Sequence, residues 1–404
     1  MKKSILKISL LSVSMLVTTA PAINANIPSM AKAFSEIPLS MVEMISTIPS
    51  LFLMISVLTS SFIAKKIGYK QTILLGLVIT ACSGIIPVFI NNFYIVLISR
   101  ALLGFGIGLF NSLLIGLINY FFDGDEKTSL IGYHEALGGF GGIIITYVAG
   151  QLLNINWQAS FLSYAIAFPV IFLFWKFVPK VETVDILSKT SKKEEKADNL
   201  QNGSFIIAFM VLIFIGAVLN MTMGIKISAL IEEIGYGTAS DGSLVLMLLS
   251  FGSMLSGFLF GKMFKMLKDY ILSLGFIVVA IAMLIIGISN NMILTVIGGF
   301  LIGFGFRVMM PYLTNIINNS HLKNPALGTS LLIVAYNLGS ALAPYGSLLI
   351  QQLSWTDNLR GVFYLDCLGF VILAIITAGI ITIKNLNLKR NKSVKKIGEK
   401  NFIY

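Results

Sequence analysis

Four ionisable side chains stand inside stretches that are otherwise almost wholly apolar: Arg100, His134, Glu135 and Arg307. Charge is expensive in such surroundings, so residues of this kind mark binding or coupling groups. A carboxylate beside a movable cation can take up and release a proton, because desolvation favours its neutral form and the cation its charged form. Counting about 1.5 Å of helix per residue puts Arg307 near the depth of Glu135, and Arg100 nearer the opposite surface. A Glu135–Arg307 pair is therefore open on depth. Asn24, Asn220 and Asn337, with Asn26 and Tyr336, are uncharged candidates to line the same path. Lys226 reads as a residue at the end of its segment whose ammonium snorkels to water. Glu43 and Asp366 read as interfacial.

Other chemistries find no support. The chain has no G-x-x-x-x-G-K-[ST] phosphate loop, and neither H-E-x-x-H nor C-x-x-C occurs. The two cysteines, Cys82 and Cys367, fall in separate apolar segments and read as small packing residues. No enzyme activity, metal or cofactor is expected.

The elements that must hold these residues follow from composition. Apolar residues make up 56% of 404 positions and charged residues 12%, with a mean hydropathy of +0.89. A soluble fold cannot hide that much apolar surface. A bilayer core about 30 Å thick needs roughly 20 apolar residues per helix. Such stretches occur at 7–27, 42–64, 71–91, 93–117, 129–152 and 158–178, and again at 204–226, 242–262, 270–289, 292–318, 326–350 and 361–383. Twelve spans are predicted. Their apolar runs are continuous rather than alternating, which excludes a barrel.

The net charge of +11 is topological. With the N-terminus inside, 24 Lys and Arg fall on cytoplasmic segments and two, Lys32 and Arg360, on external ones. That is the positive-inside bias, and no nucleic-acid partner is implied. Both termini are expected in the cytoplasm of a bacterial cell whose plasma membrane the chain crosses. Lys2, Lys3 and the small residues at 22–25 imitate a cleavable signal. An internal repeat that needs six spans in each half argues for its retention.

That repeat is visible in three places. Arg100 to Gly108 (R-A-L-L-G-F-G-I-G) matches Gly299 to Arg307 (G-F-L-I-G-F-G-F-R), aligning Gly104 and Gly106 with Gly303 and Gly305. Gly141, Thr146, Tyr147 and Trp157 match Gly339, Pro344, Tyr345 and Trp355. Ser60 to Lys66 matches Ser256 to Lys262. The offsets, 196 to 199, agree closely. The expected organisation is a six-helix bundle at 1–178, a charged linker at 179–203, a second bundle at 204–384 and a basic tail at 385–404, with a site between the halves at mid-membrane. The tail is suited to anionic headgroups. Arg100 and Arg307 have no counterparts at the matching positions, which favours functional roles over scaffold roles.

These residues resemble the major facilitator superfamily over essentially the whole chain. Ser61 to Lys70 (S-F-I-A-K-K-I-G-Y-K) is similar to the family's G-x-x-x-D-[RK]-x-G-[RK]-[RK] loop through Lys66, Gly68 and Lys70, with Lys65 at the acidic position. Arg100, Gly104 and Gly106 are similar to R-x-x-x-G-x-G, and Trp157 to Phe161 to W-R-x-x-F. The resemblance implies an all-helical fold of two pseudo-symmetric six-helix bundles. It further implies a monomeric secondary transporter that moves a small organic solute by alternating access, with protons as the expected coupling ion. Spans 1, 4, 7 and 10 would line its cavity, with Arg100, His134, Glu135, Arg307 and the three asparagines binding or coupling. Lys65, Lys66, Gly68 and Lys70 would help gate the inner side. Gly104, Gly106, Gly141, Gly303, Gly305, Gly339 and Pro344 would serve packing. The glycine-rich span 5 resembles the family's antiporter signature and leans the expectation slightly to efflux; two cavity arginines keep uptake of an organic anion open, and a non-transporting sensor of the same fold is the third reading.

Overall fold

Each apolar stretch becomes helix because lipid offers backbone N–H and C=O groups no partner outside their own segment. The computed structural model describes residues 2–181, 203–318, 325–356 and 358–400, and among these it is helical with no strand. Spans 2 to 5 are Leu39–Ile67, Tyr69–Phe89, Phe93–Phe121 and Gly124–Leu153. Span 6 begins as a 3-10 helix, Ala159–Ile166, and continues as Ala167–Phe177. Spans 7, 8 and 9 are Gly203–Ile234, Ala239–Leu267 and Ile271–Ile288. Span 10 is divided into Met292–Phe306 and Met309–Asn318; spans 11 and 12 are Pro325–Leu353 and Arg360–Lys400.

Among the described residues ten segments are long and apolar enough to cross a membrane, and one of them, Ala239–Ile288, holds both span 8 and span 9. The twelfth crossing is span 1, which is broken rather than continuous: Lys2–Ser14, a 3-10 helix Ala20–Asn26, then Ile27–Ala33. Pro21 and Pro28 sit at the starts of its second and third pieces, where a missing N–H costs nothing.

Two expected boundaries are corrected. Span 7 continues eight residues beyond Lys226 to Ile234, so that lysine lies inside the helix and not at its end. The helix of span 12 runs on through the expected tail to Lys400. Most of the expected linker, 182–202, lies outside the described residues.

One end of the bundle carries Lys2, Gly68, the 3-10 turn Lys268–Tyr270 and the two residues that flank the linker; it is called here the linker end. The connections at 34–38, 154–158 and 235–238 lie at the far end. Two apolar cores form. The first gathers residues from Leu10 to Val178 plus Ile225, and the second residues from Phe209 to Ala374 plus Ala25 and Leu153.

The repeat seen in the sequence recurs as packing. A side chain at Gly104 would meet the Pro49 carbonyl at 2.1 Å, and one at Gly303 the Leu249 carbonyl at 1.9 Å. A side chain at Gly106 would begin 2.7 Å from the Gly76 carbonyl, as one at Gly305 would from that of Gly275. One at Gly141 would run into Met15 O of span 1, and one at Gly339 into Phe214 O of span 7. Small residues let helices approach closely in lipid, where apolar bulk gains little by leaving the acyl chains. Corresponding spans thus touch in the same way in both halves. The halves meet through span 2 against span 11 and span 5 against span 8.

Candidate functional site

Arg100 is fully buried, and its donors face backbone within the first half. Its Nε donates to Ile45 O at 3.2 Å, Nη1 to the Tyr164 hydroxyl at 2.9 Å, and Nη2 to Ala20 O. The Tyr164 hydroxyl in turn donates to Thr19 O at 3.0 Å. These acceptors have one origin. Ile45 precedes Pro49 by four residues, so its carbonyl has lost its helical donor. Thr19 and Ala20 lie where span 1 breaks. The guanidinium therefore staples two backbone irregularities together, the proline bend of span 2 and the break in span 1, and the hydrogen bonds described for it all stay within the first half.

Glu135 and Arg307 do meet: Arg307 Nη2 lies 3.0 Å from Glu135 Oε2, joining span 5 to the break in span 10. The two side chains are 59% and 45% exposed although both are deep in the chain's apolar segments. The neighbouring His134 points the other way. It is buried, with Nδ1 2.8 Å from the Ser14 hydroxyl of span 1.

The most enclosed ion pair between the halves was not legible in advance. Glu43 of span 2 and Lys226 of span 7 lie 2.7 Å apart at 2% and 3% exposure. The Ser347 hydroxyl donates to Glu43 at 3.4 Å, and Lys226 donates to Gln351 Oε1 at 3.3 Å, both partners on span 11. The interfacial reading of Glu43 and the snorkelling reading of Lys226 are thereby overturned. Asp366 is not interfacial either: it is wholly buried in span 12, and neither carboxyl oxygen has a hydrogen-bond partner. The asymmetry that marked Arg100 and Arg307 was available for Lys226 and Asp366, whose positions one repeat earlier are apolar. Other far-end contacts accompany the pair: Lys32 to Glu232 at 3.0 Å, Thr47 to Ala341 O at 3.3 Å, and Ser240 to Gly150 O at 2.7 Å.

The asparagines divide. Asn24 and Asn220 are left with side-chain oxygens that are buried and unpartnered. Asn24 Nδ2 lies 3.2 Å from where a side chain at Gly224 would begin, and Asn220 is one turn from Gly224 on the same helix face. Asn337 is buried and bonds its own helix at Ile333 O, 2.9 Å away. In the 61–70 loop, Gly68 has φ +92° and joins spans 2 and 3, a conformation that suits glycine. Lys70 donates to Trp175 O of span 6 at 2.7 Å and Lys66 lies over the Phe62 ring, contacts inside the first half; Lys65 is exposed. Pro344 kinks no contact away from Glu43: its carbonyl accepts from the same Ser347 hydroxyl at 3.1 Å.

Comparison with known proteins agrees with this architecture. The sequence profile of the Major Facilitator Superfamily matches residues 8–344 and 267–402. A Rickettsia felis protein described as an uncharacterized transporter is 23% identical over 346 residues, 82% of this chain and 82% of its own. The solved structure of the nucleoside transporter NupG is similar with a TM-score of 0.73 at 12% identity, covering 93% of this chain and 99% of that one. That of a D-xylose-proton symporter gives 0.69 at 13%, covering 93% and 97%. Identities this low speak to the fold.

Proposed function

The chain belongs to the Major Facilitator Superfamily and is a multi-pass membrane transporter, not an enzyme; on that premise we propose that it takes up a small, neutral, polar solute together with protons by alternating access. The observation that carries this reading is the uneven closure of the interface. Between spans 2, 7 and 11 the halves are sealed by an ion pair 2–3% exposed, while the Glu135–Arg307 bridge toward the linker end stands 45–59% open. A site between the halves is then reached from one side only.

A neutral solute fits better than an anion, because Arg100 is engaged by backbone and Arg307 by Glu135. Asn24 and Asn220 offer free acceptors, which suit a solute bearing hydroxyl or amide donors. The similar solved structures include a nucleoside transporter and a sugar–proton symporter, which agrees with such a cargo and with symport. Efflux is the direction that the glycine-rich span 5 and an apolar path favour; of those glycines, a side chain at Gly141 or Gly142 would run into Met15 or Thr18 at the break of span 1, so both serve packing. They carry no direction.

In this reading the linker end is cytoplasmic, as the Lys and Arg bias requires, and the plasma membrane is the site of action. Residues 1–178 and 204–384 rock as two units joined by 179–203, and 385–404 is on the cytoplasmic side of the topology. The test is flux in vesicles of purified protein against a panel of labelled sugars and nucleosides under an imposed pH gradient. Symport predicts faster uptake when the outer bath is acid. Faster efflux under that same gradient would reverse the direction, and no flux of any solute would leave the non-transporting sensor.

A further inference from the structure

Asp366 is a titratable group that the account above leaves without work. It is 0% exposed, and both oxygens lack partners. A bare charge so placed is costly. Its location is fixed by the antiparallel register of spans 7 and 12. Gly216 faces Leu373, Leu219 faces Gly369, and Glu233 accepts from Leu359 N at 3.0 Å. By that register Asp366 stands opposite residues 222–223, on the face that Leu373 presents to span 7, since seven residues nearly complete two helical turns. Lys226 is seven residues beyond Leu219 and shares its face. The lysine backbone is thus about 4.5–6 Å along the axis from the level of Asp366, within the swing of a four-carbon stem.

Glu43 and Asp366 differ in which half they belong to. Opening the far end carries span 2, and Glu43 with it, away from spans 7 and 11. Lys226 would then be a cation stripped of its carboxylate, which disfavours opening unless another partner meets it. Asp366 travels with Lys226 in the same bundle.

We propose that Lys226 changes partners during transport, pairing with Glu43 while the far end is closed and with Asp366 when it opens. Asp366 carries a proton while it is unpaired, gives it to the far-end bath as Lys226 arrives, and takes one back from that same bath as the far end closes, so the exchange poises the opening and moves no net proton across the membrane. The groups facing this exchange are Glu43 on span 2, Lys226 on span 7, the uncharged Gln351 and Ser347 on span 11, and Cys367 on span 12. Span 9, which also packs on span 12, brings no ionisable side chain. The inference rests on alternating access, and Asp366 becomes a proton-binding residue that no contact in the closed state reveals.

The experiment uses full-length protein in vesicles with Cys82→Ala, Cys367→Ala and Ser240→Cys, the last at the far-end contact with Gly150. The rate of labelling by an impermeant maleimide reports far-end opening, and an infrared spectrum reports protonated carboxyl groups. Glu43→Gln is expected to raise labelling on the order of tenfold by freeing Lys226 for Asp366, and to remove the carboxyl band that Asp366→Asn also removes. Adding Asp366→Asn to Glu43→Gln should abolish the gain in labelling. A gain that survives in the double variant, or a band that Glu43→Gln leaves in place, overturns the proposal. Should Asp366→Asn fail to fold, Asp366→Glu assigns the band by displacing it, and the Glu43→Gln comparison still decides. Labelling that responds to neither Glu43→Gln nor a pH gradient would count against alternating access itself, while the infrared result continues to judge Asp366.

Discussion

At the scale of single residues, depth and environment assign different work to chemically similar groups. Arg100 holds irregular backbone, so Arg100→Gln should lower thermal stability in detergent by on the order of 3 kcal/mol through the orphaned carbonyls of Ile45 and Ala20. A binding role would instead weaken solute affinity and leave the melting temperature unchanged. Glu135→Gln should behave in the opposite way. Its pair with Arg307 is half exposed, a setting in which ion pairs contribute about 0–1 kcal/mol, so stability should hold. The pH profile of uptake should flatten. A third case lies in the first turn of the span 5 helix, ahead of the apolar stretch that begins at Ser129, where hydrogen bonds from Lys3 and Lys7 hold the Glu126 carboxyl below its ordinary 4.5. A depressed carboxylate stabilises above its unfolded value and loses that contribution as pH falls through its folded one. The protection of residues 2–14 against hydrogen exchange, corrected for the intrinsic pH dependence of amide exchange, should therefore stay constant from neutral pH down to about 4.5 and fall only below it. Glu126→Gln should bring the faster exchange at neutral pH.

Elements translate those residues into positions, and their small residues decide how closely they approach. Gly141→Ala would set a methyl 2.0 Å from Met15 O, backbone that cannot yield without moving span 1. A loss of about 1–3 kcal/mol in thermal unfolding is expected from such overpacking. Gly257→Ala meets nothing within 4 Å and should be neutral or slightly stabilising. The spans themselves were readable because apolar length is all that a lipid-facing helix needs, and the paired glycines because each half repeats the same approach. Hydropathy alone does not show the breaks. Span 1 looks continuous in hydropathy although Pro21 and Pro28 interrupt it, and span 10 divides at Arg307, whose carbonyl Pro311, four residues on, leaves without a helical donor. Ending span 7 at its first charge placed Lys226 at a surface, when the helix had eight more residues to run. Burial of a charge depends on what crosses nearby, and Glu43 and Lys226 are 183 positions apart in the chain.

For the molecule as a whole, the two bundles are alike in construction and unlike in charge. Glu43, Arg307, Lys226 and Asp366 belong to one half each, and the first three bridge the gap between halves. Such a design resists half-open states: a buried pair is either formed or broken, and the cost of breaking it must be met by a new partner or by water. Rocking between two closures then follows if the far end can part while the linker end shuts. Lys32 and Glu232 mark the far end of spans 1 and 7, 3.0 Å apart and accessible from that side. With both native cysteines replaced by alanine, Lys32→Cys and Glu232→Cys can be joined by a reducible two-headed thiol reagent, and solute flux measured before joining, after joining and after release. Alternating access predicts that the tether stops flux and that reduction restores it; flux that continues with the far end held shut contradicts the account.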